Sequence, residues 1–472
     1  MKRIAIIGGG ISGLSAAFTL ERQRQAGLPL EFVLFEASPR FGGVILTERM
    51  ENCTVEAGPD SFLTEKPWAS ELCQELGIAD QLIGSNDFQR RTYISVNGKL
   101  IPIPDGLAFM VPTKLMPAAL SPLFSLRTKI RMAREWFYRP GEIGADESVG
   151  SFVKRHYGEE MVERLADPLL SGIYGGDASD LSLRAVLPRF ADMQARNGSL
   201  GKTLIANRKE AMNTVARPVF TTLKDGMRQL VSTILSHLSA SRVRSNNEIR
   251  SLQARERGWL VSSNANVENF DGVIITIPTH AAARLLEDSH PKLASELRDI
   301  RYSSSVTVSL VYDEKVRANL PEGFGYLVPR AEGKRVLAAT FVHNKFPNRA
   351  PDDRALIRCF LGGTRDETVL DLSEDEILGI IRAELRQTLR IEAEPLFARV
   401  YKWKAAMAQY NVGHLERLER IERLRLNAPG LFLAGNAYKG IGIPDCVRSG
   451  KEAASQAIEA VGLGDFKTVA TS

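Results

Sequence analysis

The sequence predicts an α/β protein: a discontinuous Rossmann-like dinucleotide-binding domain carrying a mixed α+β domain and a helical insertion. Three observations predict it. The chain opens with a strand, a glycine triad and a helix, followed by a second strand that ends on an acid. Features of the same kind of domain return in the middle of the chain and at its end. Between them the composition changes twice, to a helical block and to a series of alternating strands.

The opening reads KRIAIIGGGISG. Ile4, Ala5, Ile6 and Ile7 form an unbroken apolar run, as expected for a strand buried on both faces. Gly8, Gly10 and Gly13 follow at G-x-G-x-x-G spacing, and residues 11–20 read as a helix. Gly8 permits the tight turn, Gly10 lets backbone approach a pyrophosphate, and Gly13 lets helix pack on strand. The helix N-terminus offers N–H groups and a positive dipole end to the phosphates. Residues 31–35 form the second strand, and Glu36 closes it about 20 residues after the triad, where an acid binds ribose hydroxyls. The triad alone is a weak signal; the full order of strand, glycines, helix, strand and acid is a strong one.

The 472 residues suffice for two or three domains, and 44% hydrophobic with 25% charged residues is ordinary for a globular chain. A net charge of +5 is too small to indicate nucleic acid but suits an anionic small substrate. Cys53, Cys73, Cys359 and Cys446 are scattered, with no C-x-x-C pair, so no zinc site or disulfide framework is expected and a reducing cytosol fits. The six histidines show no metal-ligand spacing, and no Ser/His/Asp set stands out. Residues 101–126 are the most lipid-like, yet five prolines break them, so no spanning helix is expected. A cytoplasmic protein, at most peripheral to a membrane, is the expectation; the oligomeric state stays open.

Residues 53–61 read as an extended piece ending in a Gly-Pro turn, and 67–76 as a helix stopped by Gly77. Residues 91–104 alternate around Asn97-Gly98, a hairpin turn signal. Residues 115–138 and 148–170 carry helical periodicity, and the amphipathic parts of 115–138 are expected against a substrate cavity rather than a membrane. Residues 189–217, basic and poor in large apolar side chains, read as a solvated mobile loop. A helix is expected over 223–238. Strands are expected within 243–262 and over 270–278, 302–312, 325–328, 335–341 and 355–361, then a helix over 375–389. A strand over 431–434, a glycine-rich loop and a helix from about 446 to 460 close the chain. The resulting division is 1–85, 216–300 and 405–466 for the dinucleotide domain, 86–106 with 301–404 for the mixed domain, and 107–215 for the helical insertion.

Further blocks decide between cofactors. Arg40-Phe41-Gly42-Gly43, Glu56-Ala57-Gly58-Pro59, residues 431–436 (LFLAGN), 440–445 (GIGIPD) and 449–454 (SGKEAA) resemble the flavin amine oxidase superfamily. Residues 58–63 (GPDSFL) with Lys66, 168–177 (PLLSGIYGGD), 409–414 (QYNVGH) and 442–446 (GIPDC) are similar to its protoporphyrinogen oxidase family. The similarity is greatest to the soluble Gram-positive branch, which acts on coproporphyrinogen III. It spans residues 2 to about 460.

The resemblance implies FAD as cofactor and a tetrapyrrole as substrate. It implies oxygen-dependent six-electron oxidation of coproporphyrinogen III in heme biosynthesis, with hydrogen peroxide formed. It assigns Gly8, Gly9, Gly10, Ile11, Ser12 and Gly13 to the pyrophosphate, Glu36 and Ala37 to the adenosine ribose, and Arg40, Gly42 and Gly43 to the dinucleotide path. Gly58, Pro59, Asp60 and Ser61 would run beside the ribityl chain, and Ile249 would meet the adenine unless it is an ordinary strand residue. Trp403, Gly435, Asn436, Ile441, Gly442 and Ile443 would border the flavin, Trp403 being otherwise a core aromatic. Lys66 would bind a propionate, unless it is merely solvated, and Ile173, Tyr174 and Gly175 would line the macrocycle, where a helix C-cap is a compatible reading. No catalytic side chain is assigned, because flavin N5 does the chemistry. His414 is expected to be structural, and Ala57 stands where some relatives carry Arg. Protoporphyrinogen IX oxidation, amine oxidation, carotenoid desaturation and a non-catalytic FAD-binding scaffold remain the alternatives.

Overall fold

The computed structural model describes residues 1–141, 145–211 and 217–464. The N-terminal apolar run is the central strand, Lys2–Ile7, of a five-stranded sheet. Leu30–Phe35 and Gly272–Ile275 flank it, with Val243–Arg244 and Leu431–Leu433 outside them, and every pairing is parallel. Helices and loops cover both faces, so Ile4, Ile6 and Ile7 are buried and the strand reads as continuous apolar sequence. One sheet thus collects strands from the start, middle and end of the chain.

The first helix, Ile11–Gln25, lies against the last, Ile443–Ile458, and their apolar faces share a core with Ile4, Ile6 and Ile274. The crossing is close. A Cβ at Gly450 would lie 2.1 Å from the Ser12 carbonyl oxygen. Separately, a Cβ at Gly13 would lie 1.9 Å from the Gly8 carbonyl oxygen, so the first helix also packs tightly on its own strand–helix turn. The last helix begins before the expected residue 446 because Gly442 caps it and Pro444 sits in its first turn, where a missing N–H costs no helical bond.

A seven-stranded sheet forms the second layer, in the order Phe397–Ala408, Tyr302–Asp313, Arg354–Gly362, Val336–Phe341, Gly325–Leu327, Thr92–Val96 and Lys99–Pro102. Its pairings are antiparallel except Gly325–Leu327 with Thr92–Val96. The Asn97-Gly98 hairpin forms as expected, both residues at positive φ. Helix Glu374–Leu389, opened by a Ser373–Glu376 capping box, buries Ile377, Ile381 and Leu385 against this sheet.

Several expectations are corrected. Residues 189–217 are not a loop as far as they are described: helices Pro188–Asn197 and Leu200–Ala211 occupy them, while 212–216 lie outside the described residues, as do 465–466 of the expected dinucleotide domain. The buried Glu135 carboxylate accepts the Leu200 N–H and the Ser199 hydroxyl, stabilising that helix start from a distant part of the chain. The helix expected from 223 begins at Arg228, because Phe220–Leu223 is a strand and Gly226 turns the chain at φ +99°. Strand Phe397–Ala408 and helices Thr279–Leu286, Pro291–Arg298 and His414–Arg425 were not expected at all. Within 115–138, Leu120 (77% exposed), Leu126, Ile130 and Phe137 (80%) face outward instead of lining a cavity. Among the described residues no helix is long and apolar enough to cross a membrane.

Gly450→Ala should force the first and last helices apart and cost about 1–3 kcal/mol, read as a lowered thermal midpoint. Gly379→Ala is the matched control. It lies exposed in Glu374–Leu389 with open space around its missing Cβ, and should stabilise by up to about 1 kcal/mol.

Candidate active site

The first helix has Gly10 as N-cap, no side chain capping it and no acid in its first turn, which leaves its leading N–H groups for a ligand. A Cβ at Gly10 would meet nothing within 4 Å, so a cradle lies open there beside Gly9, Ile11 and Ser12. Glu36 closes one side: its Oε2 accepts the Gly9 N–H at 2.7 Å and its Oε1 the Ser38 N–H at 2.8 Å, with Ala37 exposed between. The Gly42 N–H donates to the Gly9 carbonyl at 2.7 Å, and the Gly43 position faces the Gly10 Cα. Arg40 turns back onto the carbonyls of Gly43 and Ile45, at 2.6 and 3.3 Å, and so fixes this turn. Ile249 opens the strand Ile249–Ala254, buried, two residues after an Asn247 N–H that donates to the Glu36 carbonyl. These residues come together at one end of the site.

At the other end the last helix also starts without a side-chain cap, at Gly442 after Ile441 and before Ile443. A Cβ at Gly435 would have only the Thr276 carbonyl oxygen near it, at 3.8 Å. Asn436 is held through its side chain to the Ala406 carbonyl at 3.0 Å and through its own carbonyl by the Tyr410 hydroxyl at 2.8 Å. The Trp403 indole N–H donates to the Ala57 carbonyl at 3.0 Å, and the same oxygen accepts from Thr307 Oγ1 at 2.6 Å and Arg358 Nη2 at 3.2 Å. Trp403 is therefore seated against residues 57–58. Gly58 is required by packing, since a Cβ there would lie 1.8 Å from the Val44 carbonyl oxygen.

Asp60 sits in a buried ion network. Lys345 Nζ reaches both its oxygens, at 3.1 and 3.0 Å, and Ser61 Oγ donates to it at 2.7 Å. Burial alone would raise the Asp60 carboxyl, but the Lys345 and Arg358 cations outweigh it and hold the group well below the usual carboxylate range. Behind it Arg349 meets Glu56 at 3.3 Å, both almost fully buried. Pro59 and Ser61 remain half-buried along the turn that this network supports.

Lys66 is not the free cation the sequence suggested. Its Nζ lies 2.6 Å from Oδ2 of Asp445, in the first turn of the last helix, and the near-complete burial of that carboxylate demands a counter-charge. Gly175 takes the C-cap position of helix Asp167–Tyr174 at φ +58°, the reading compatible with its lining a flat ligand, and a Cβ there would lie 2.9 Å from Ser303 Oγ. Ile173 is 47% exposed, and the half-buried Tyr174 ring lies 6.4 Å from that of Tyr410. The Gly175 carbonyl accepts the Thr364 N–H at 2.8 Å, and Arg365 bridges Asp167 and Asp177 around this turn.

Burial pushes His156, His343 and His414 each down to about 4, so all three are neutral at neutral pH. His414 stacks on Tyr410 with ring centroids 4.2 Å apart. Among the described residues no cluster could hold a metal ion. The arrangement offers position and electrostatics, with two helix N-termini at its ends and no acid–base pair of the hydrolase kind.

The family model for flavin containing amine oxidoreductase matches residues 11–458. The coproporphyrinogen III oxidase of Bacillus subtilis (strain 168) is 35% identical over 464 residues, covering 97% of this chain and 98% of that protein. The chain belongs to the flavin-containing amine oxidoreductases, in their protoporphyrinogen oxidase branch. The chloroplastic protoporphyrinogen oxidase 1 of Arabidopsis thaliana is 31% identical, over 95% of this chain and 86% of that protein. A crystal structure of a provisionally named protoporphyrinogen oxidase from Exiguobacterium sp. 255-15 matches with a TM-score of 0.87 at 29% identity, covering 97% of this chain and 99% of that one.

As a flavin-containing amine oxidoreductase, the chain is an oxidoreductase with a flavin cofactor. The open cradles at Gly10 and Gly435 and the two uncapped helix starts fit such a group. Sequence reasoning did not single out Lys345, Arg358, Arg365, Gln409, Tyr410 and Asp445 as site residues. One signal was available. Arg358 interrupts an otherwise apolar strand (ALIRCFL) at a position that proves 4% exposed, and a cation so placed needs buried anions or carbonyls.

Asp60→Asn would leave Lys345 and Arg358 buried without their anion and should cost about 3–5 kcal/mol near pH 7. The folded Asp60 carboxyl lies below its unfolded value of about 3.9. Its contribution is therefore complete above that value and is lost as pH falls toward the folded one. Urea unfolding should show a full gap between wild type and Asp60→Asn at neutral pH and a smaller one at acid pH.

Proposed function

We propose that this protein is an FAD-dependent coproporphyrinogen III oxidase of heme biosynthesis. It would remove six electrons and six protons from coproporphyrinogen III to give coproporphyrin III. Dioxygen is the proposed acceptor, three molecules being reduced to three of hydrogen peroxide per porphyrin. The observation that carries the reading is end-to-end likeness to named coproporphyrinogen III oxidases, joined to a site with an uncapped helix start at each end.

FAD suits the two ends. Residues 8–13 would hold the pyrophosphate, Glu36 and Ala37 the adenosine ribose, with Arg40, Gly42, Gly43 and Ile249 shaping that half. Residues 58–61, Trp403, Gly435, Asn436 and 441–443 would border the ring system. Bound flavin supplies a two-electron acceptor for hydride. The N-terminal dipole of Ile443–Ile458 favours negative charge beside it. The protein's other task is to hold the macrocycle, for which Ile173 and Tyr174 form one wall. Lys66 would act there through its pair with Asp445, and not as an isolated anchor for a propionate.

The test gives purified, FAD-loaded protein freshly reduced coproporphyrinogen III and protoporphyrinogen IX in parallel. Porphyrin fluorescence and peroxide are followed against controls without enzyme. Faster turnover of coproporphyrinogen with three peroxides per porphyrin is expected. Preference for protoporphyrinogen would replace the substrate, and turnover under air without peroxide would remove dioxygen as the acceptor. FAD that neither porphyrinogen reduces would favour a binding role.

A further inference from the structure

We propose that Gln409 and Tyr410 are positioning residues that couple the cofactor loop to the substrate wall, so that binding of the flavin sets the shape of that wall. This rests on the reading of residues 435–442 as part of the flavin site.

The two residues are consecutive and buried, and they reach opposite ways. The Tyr410 hydroxyl donates to the Asn436 carbonyl at 2.8 Å and accepts the Gly440 N–H at 2.8 Å. Its ring stacks on His414, whose Nε2 lies 3.3 Å from the Tyr438 carbonyl oxygen. The pair therefore holds residues 436, 438 and 440 of a loop that joins Leu431–Leu433 to Ile443–Ile458 and makes no ladder of its own. Gly435 and Gly440 in that loop both stand at positive φ, a backbone that ordinary residues do not hold in place.

Gln409 faces the other way. Its Nε2 donates to the Tyr174 carbonyl at 2.8 Å and to Ser303 Oγ at 2.9 Å. A Cβ at Gly176 would lie 2.4 Å from its Oε1, so the turn after Tyr174 is seated directly on the amide. The backbone continues the tie: the Ser182 N–H donates to the Tyr410 carbonyl at 2.7 Å and the Val412 N–H to the Asp180 carbonyl at 2.9 Å. One short segment thus grips the cofactor loop with side chains from Tyr410 and His414, and the wall at 174–182 with Gln409 and its own backbone. A ligand that orders the loop orders Tyr410, and the wall is ordered with it; this is a coupling between two sites through a shared rigid element.

The experiment uses hydrogen exchange on the wild-type full chain, with FAD bound and after its removal. Residues 172–183 should exchange at least several-fold faster without FAD. Tyr410→Phe should weaken FAD binding about tenfold, the effect expected for losing a pair of buried hydrogen bonds. It should also abolish most of the FAD-dependent protection of 172–183. Gln409→Ala should leave FAD affinity within about twofold but raise KM for the porphyrinogen more than it lowers kcat. Exchange of 172–183 that is the same with and without bound FAD would overturn the coupling even if no variant folds. Wild-type protein that binds no FAD would overturn the proposed cofactor as well.

Discussion

The close crossing of the first and last helices is the constraint on which the rest of this structure depends. With no side chain at Gly450, the last helix reaches the Ser12 carbonyl region of the first. Both helices begin with glycine caps that no side chain satisfies. Packing them together brings two sets of unpaired N–H groups, and two positive dipole ends, to one elongated site. Residues more than 400 positions apart come together because the five-stranded parallel sheet holds strands from both ends of the chain.

The middle of the site is held by charge. The carbonyls of Ala57 and Gly58 accept from Arg358, Trp403 anchors Ala57 from the edge strand, and Asp60 is held by Lys345. None of these cations is placed to move a proton. Their effect is to keep one turn, residues 57–61, at a fixed height over the seven-stranded sheet. Buried ion pairs contribute little net stability against a well-packed apolar alternative. Their use here is geometric, in a protein whose cofactor does the chemistry and whose side chains supply position.

Much of the fold was legible, for physical reasons. The N-terminal strand, glycine triad and Glu36 announce themselves because backbone geometry demands those residue types in that order. Asn97-Gly98 does so because both residues must take positive φ. What could not be read was set by tertiary partners. The helix Leu200–Ala211 is held at its start by the distant Glu135, and the edge strand Phe397–Ala408 alternates only in its middle, around Lys402 and Lys404, before running into Ala405-Ala406-Met407-Ala408. At the site, Lys66 was visible as a cation, but its partner Asp445 lies 379 residues away in sequence. Gly175 was visible as a glycine in the block 168–177, yet only the structure shows that its missing Cβ makes room for Ser303.

The most direct test of the account is an anaerobic titration of the FAD-loaded protein with coproporphyrinogen III, following flavin and porphyrin absorbance together. Oxidation of the macrocycle by the bound cofactor predicts bleaching of the flavin in step with porphyrin formation, three flavins per porphyrin at completion. Porphyrin that accumulates while the flavin stays oxidised, or a flavin that never bleaches, would contradict it.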